Sequence, residues 1–89
     1  MKLKYQFVIR EVAGQHVAVA VGQDNGSFNG MVKLNATGAY LMGLLNSRQY
    51  SREELIEALL AKYDVDRERA VSTLDAFLNT LRQGELLSE

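Results

Sequence analysis

His16 is the sole histidine and the chain has no cysteine, so neither a thiol nucleophile, a thiolate zinc site nor a histidine pair has the residues to form. A lone histidine at the start of a strand reads as a solvated side chain. Glu53, Glu54 and Glu57 come closer to a constellation. They fall in the first turns of an expected helix, where carboxylates meet the favourable end of the helix dipole. Glu53 and Glu57 are like charges at i,i+4, a pattern of a solvated face rather than of an acid–base pair. Asp64 and Asp66 read as turn and cap. Gly22-x-x-x-Gly26 lacks the lysine and the serine or threonine of a phosphate-binding loop. No catalytic residue, metal ligand or cofactor is therefore expected, and the chain does not read as an enzyme.

Composition leaves room for binding. The 89 residues are enough for one domain, and 47% hydrophobic against 24% charged residues argues for a folded chain over a disordered one. A net charge of −1 offers no overall attraction to nucleic acid or an anionic membrane. Met1-Lys2-Leu3-Lys4-Tyr5 lacks the apolar core of a signal peptide, and no apolar run approaches the roughly 20 residues of a membrane span. A cytoplasmic location is the expectation.

The elements follow from a change of hydrophobic period near residue 35. Upstream, Tyr5, Phe7 and Ile9, then Val17, Val19 and Val21, then Val32 and Leu34 alternate. Strands are expected over about 5–12, 16–21 and 28–34, joined by the Ala13-Gly14-Gln15 turn and the Gly22-Gln23-Asp24-Asn25-Gly26 cluster. In the second strand Val17, Val19 and Val21 are expected inward, with Ala18 and Ala20 on the opposite face. Short connections make these an antiparallel meander with the second strand central.

Downstream, three helices are expected over about 36–46, 52–63 and 67–83. Asn35 is the first N-cap, Ser51-Arg52-Glu53-Glu54 is a capping box, and Asp66 caps the third helix. Gly84 is expected to supply a left-handed stop, with Leu86 or Leu87 folding back onto Leu81. Ala36, Ala39 and Gly43 form a strip of small residues on the first helix, and close approach of another element is the expected reason. The resulting class is α+β and winged-helix-like: a three-stranded antiparallel N-terminal sheet packed on a C-terminal three-helix bundle.

The run Leu34-Asn35-x-Thr37-Gly38-Ala39 with Leu41 and Leu44-Leu45 resembles the PqqD family, small proteins of pyrroloquinoline quinone biosynthesis. Their fold recurs as the precursor-peptide recognition element of ribosomal-peptide natural-product pathways. Ser51-Arg52-Glu53-Glu54-Leu55, Tyr63-Asp64-Val65-Asp66, Phe77-Leu78-x-x-Leu81 and Gly84-Glu85-Leu86-Leu87 extend the match over about residues 5–87. The chain has Met42 where many relatives carry tryptophan and Thr73 where they carry an acid, and its Gly22–Gly30 segment is longer than in compact relatives. The resemblance implies that the leader of a precursor peptide adds as a fourth strand to strand three, against helix three. It also implies presentation to a maturation enzyme, with a radical-SAM protein as one candidate.

An open strand edge independently suits capture of an extended peptide. The expected site comprises Phe28, Asn29, Gly30, Met31, Val32 and Lys33 on strand three. On helix three it comprises Arg67, Ala70, Val71, Leu74 and Phe77. Phe28, Gly30, Val32 and Leu34 should point inward, and Asn29, Met31 and Lys33 outward. Leu74, Leu78 and Leu81 read primarily as core, and either Val71 or the Ala70 and Phe77 flank faces the strand. Lys33, Arg67 and Arg69 suggest a hydrophobic peptide with acidic residues near its anchors. The same edge, with Lys33 as its one charge, predicts weak homodimerisation.

Two other functions share these elements. A winged-helix DNA binder needs a basic recognition helix, yet Arg67, Arg69 and Arg82 are balanced by Asp66, Glu68 and Asp75. A non-catalytic subunit packing on an enzyme carries the same sequence features as a peptide binder.

Overall fold

A two-residue turn at Ala13 and Gly14 organises the sheet. Both residues have positive φ, 53° and 80°, the signature of a type I′ hairpin whose twist matches that of its strands. The computed structural model describes residues 1–21 and 31–88. In chain order it contains β1 (Lys2–Leu3), β2 (Gln6–Val12), β3 (Gln15–Val21), β4 (Met31–Leu34), α1 (Ala36–Ser47), α2 (Arg52–Lys62), α3 (Arg67–Gln83) and β5 (Leu87–Ser88). The expected meander is the three-stranded antiparallel sheet β2-β3-β4, registered by Val12 opposite Gln15, Ile9 opposite Ala18 and Ala18 opposite Val32. The short β1–β5 pair was not legible in the sequence; it forms because Leu86 and Leu87 return to the core beneath the N-terminal segment.

The helix starts follow the expected caps. The Asn35 side chain accepts from the Gly38 amide at 2.7 Å, and Asp66 accepts from the Arg69 amide at 2.8 Å. Ser51 and Glu54 form the reciprocal capping box. The end of α3 differs in detail. Gly84 stays right-handed at φ −87°, and the left-handed residue is Glu85 at φ 58°. The Leu86 amide then donates to the Leu81 carbonyl at 2.9 Å, so the fold-back onto Leu81 occurs one residue later than glycine preference suggests.

The core is one buried cluster in which Phe7 and Ala18 of the sheet meet Leu41, Met42 and Leu45 of α1, Leu55, Ile56 and Leu59 of α2, and Leu74, Phe77, Leu78 and Leu81 of α3. Met42 is fully buried. The expected facing of β3 is reversed. Ala18 and Ala20 belong to the helix-packed face, and Val17, Val19 and Val21 lie on the other. Both faces of β3 are apolar, so hydrophobicity alone did not choose between them; the alanines let α1 lie close on the sheet. The small-residue strip on α1 needs no close neighbour at Gly43, where an added Cβ would meet only Ile9 Cδ1 at 3.9 Å. At Gly38 it would meet the capping Asn35 Oδ1 at 3.1 Å.

Candidate functional site

The edges of the three-stranded sheet are β2 and β4, and they differ. On β2, Phe7 directs its backbone away from β3 into the side chain of Asn46 on α1. The Phe7 amide donates to Asn46 Oδ1 at 3.0 Å, and Asn46 Nδ2 donates to the Phe7 carbonyl at 2.7 Å. That arrangement also fixes the phase of the ladder. Antiparallel pairs alternate between hydrogen-bonded and non-bonded. If Phe7 opposite Ala20 is non-bonded, then Ala18 bonds to Val32, and Met31 and Lys33 turn their amides and carbonyls to the outer edge of β4.

Beside that outer edge lies a cleft of about 390 Å³ between β4 and α3. Lys33, Leu34, Asn35, Gly38 and Leu41 form one wall, and Ser72, Thr73, Ala76, Phe77 and Thr80 form the other. The α3 wall consists mostly of small side chains, which leaves room for another backbone. The Thr80 hydroxyl turns back to the Ala76 carbonyl at 3.2 Å. The Ser72 and Thr73 hydroxyls make no hydrogen bond among the described residues. A smaller hollow continues from Thr73 and is lined by Thr37, Leu59, Tyr63, Val65, Arg69 and Ala70.

Of the residues expected at the site, Lys33 and Phe77 line the cleft, Ala70 lines the hollow, and Met31 and Val32 lie on the bordering strand. Val32 faces the core and Met31 and Lys33 face solvent, as the alternation indicates. Phe28, Asn29 and Gly30 lie outside the described residues. Leu74 is fully buried among the helices and does not line the cleft. Arg67, Val71 and Asp75 form a stripe that faces α2 instead. Its ends are fixed by Arg67 to Glu53 at 2.7 Å and Arg52 to Asp75 at 2.6 Å. The Phe77 flank is thus the one turned to β4.

Arg67 contacts both oxygens of Glu53 and lies 3.8 Å from Glu57. Its hydrogen bonds hold the Glu53 carboxyl below the usual range, and Glu53 in turn raises Arg67. The two like-charged glutamates are therefore bridged by one cation. Ser72, Thr73, Ala76 and Thr80 were missed because they are polar or small residues next to the apolar arc, and a helix projection treats such positions as solvated.

Several comparisons with known proteins bear on this geometry. The profile of the family described as coenzyme PQQ synthesis protein D (PqqD) matches residues 15–87. No curated protein sequence matches the chain. Among solved structures, "TbiB1 in Complex with the TbiA(beta) Leader Peptide" is similar at a TM-score of 0.73 and 27% identity, over 99% of this chain and 95% of that one. No helix among the described residues is long and apolar enough to cross a membrane.

Proposed function

The chain belongs to the PqqD family, and on that footing we propose that it is a non-catalytic peptide-recognition module. It binds the leader of a ribosomally made precursor by strand addition at β4 and presents it to a maturation enzyme. The observation that carries this reading is the outer β4 edge, which pairs with no strand among the described residues and lies beside a cleft floored by small α3 residues. An extended peptide there gains main-chain hydrogen bonds from Met31 and Lys33. Side-chain selection comes from the cleft and from the hollow beyond Thr73. The similar TbiB1 structure holds a leader peptide, which supports the same class of ligand. A DNA-binding role draws no support from α3, whose Arg67 is engaged by Glu53 and whose cleft wall is uncharged.

Proline substitution tests the edge. Met31→Pro removes an outward amide and should abolish leader binding in calorimetric titration while circular dichroism stays native. Val32→Pro removes an amide directed to β3, breaks the ladder, and should lower stability as well. Unchanged leader affinity in folded Met31→Pro would place the peptide elsewhere.

A further inference from the structure

The side of the three-stranded sheet turned away from the helices is apolar at most positions. Val8, Val12, Val17, Val19, Val21 and Met31 all lie on it by register. An antiparallel sheet with one face in water ordinarily alternates apolar-in with polar-out. Here β3 carries valine at three outward positions and only alanine at two inward ones, the pattern of a strand covered on both sides. Met31, Val12 and Val21 nevertheless remain 60%, 57% and 38% exposed.

Charge on this face has a single sign. Arg10, Val17 and Lys33 stand in one row across the three strands. Val17 is only 7% exposed, and among the described residues its row neighbours Arg10 and Lys33 are the ones placed to lay their alkyl stems over it while their charged ends reach water. The remaining polar residues of the face are Gln6 and Gln15, and the described residues place no carboxylate on it. Neither Arg10 nor Lys33 forms an ion pair among the described residues. The face is thus cationic on a chain whose net charge is −1. Two copies apposed through it would bring like charges together, which disfavours self-pairing.

We propose that this outer face is a second docking surface, for a protein that presents an apolar patch flanked by carboxylates opposite Arg10 and Lys33. Resting on the peptide-capture reading, that protein is the maturation enzyme. The enzyme and the leader would then occupy different parts of the sheet: the enzyme its outer face, the leader the β4 edge and the cleft. Lys33 lies on both, since its side chain, rooted at the β4 edge, borders the outer face and any strand added beside it, so the two partners meet at one residue.

The test measures two affinities in parallel for wild type, Arg10→Glu and Val12→Thr, one for the synthetic leader and one for the purified maturation enzyme of the same pathway. Both substitutions are exposed, on β2, and away from the cleft. The expected result is enzyme binding weakened at least tenfold by Arg10→Glu and severalfold by Val12→Thr, with leader affinity unchanged. Added salt should weaken the wild-type enzyme complex and barely affect what remains in Arg10→Glu. Unchanged enzyme affinity in both variants overturns the proposal. So does a wild-type chain that binds leader but not enzyme, an outcome that leaves peptide capture intact; loss of leader binding by wild type refutes the capture reading instead. Sedimentation showing a wild-type dimer abolished by Arg10→Glu, or wild-type binding to phosphatidylserine vesicles abolished by the same change, would assign the face to a second copy or to a membrane and overturn it as well.

Discussion

Asn46 on α1 acts as a strand substitute for Phe7. Its amide donates to the Phe7 carbonyl and accepts from the Phe7 amide, at 2.7 and 3.0 Å, as a neighbouring strand residue would. One side chain thereby closes part of the β2 edge and ties α1 to the sheet. The equivalent groups on β4 have no such partner from the helices, because α3 presents small side chains there across a cleft. Of the two edges, the asymmetry leaves β4 as the one suited to the proposed strand addition.

Asn46→Leu should therefore destabilise the fold by about 1–3 kcal/mol, since two partly buried backbone groups lose their partners. Leader affinity should stay unchanged, because the cleft lies on the opposite edge. Denaturant unfolding and peptide titration of the same variant check both halves.

The glycines of α1 should respond in opposite directions. At Gly43 an added methyl meets ordinary contact distance, so Gly43→Ala should stabilise by about 0.5–1 kcal/mol through helix propensity. Gly38→Ala pushes against the oxygen of the cap, so that gain should vanish or reverse. Thermal unfolding of the two single variants separates these outcomes.

Acid should weaken the start of α2. The Ser51 amide donates to Glu54 and lowers its carboxyl below the usual range, while Arg67 does the same for Glu53. A carboxylate with a depressed folded-state value contributes stability that is present above its unfolded value and is lost as pH falls through the folded one. Stability should thus decline below the ordinary carboxylate range. Glu54→Gln, which removes the Glu54 titration, should flatten that decline. Both carboxylates are exposed to solvent, so the effect is modest.

Local chemistry made much of this fold legible. Asn35, Ser51 and Asp66 announce helix starts by side chains that accept from their own first turns, and the change of period near residue 35 separates sheet from helices. The facing of β3 was not legible, since valine and alanine are both apolar and only the depth available beneath α1 selects alanine for the inner face. The cleft wall was hidden for a related reason: Ser72, Thr73, Ala76 and Thr80 line a cleft only because β4 runs beside them. Arg67 looked available within the apolar arc of α3, yet its partner is Glu53, fourteen residues away on α2.

That last placement reassigns the charges expected to meet an acidic leader. Arg67 already holds Glu53, the pair is more than half exposed, so it contributes little, and Arg67 does not line the cleft. Lys33 lines the cleft and Arg69 lines the hollow that continues from Thr73, each without an ion-pair partner among the described residues. These two flank the path of a peptide laid along β4 and dropping a side chain past Thr73. Arg69→Gln and Lys33→Gln should each weaken an acidic leader by about 0.5–1 kcal/mol at low salt, the scale of an exposed ion pair, and the loss should shrink as salt rises. Arg67→Gln should leave leader affinity unchanged. Calorimetric titration of the three variants at two ionic strengths decides the matter. A loss confined to Arg67→Gln would mean that the leader crosses the α2–α3 face rather than the β4 cleft.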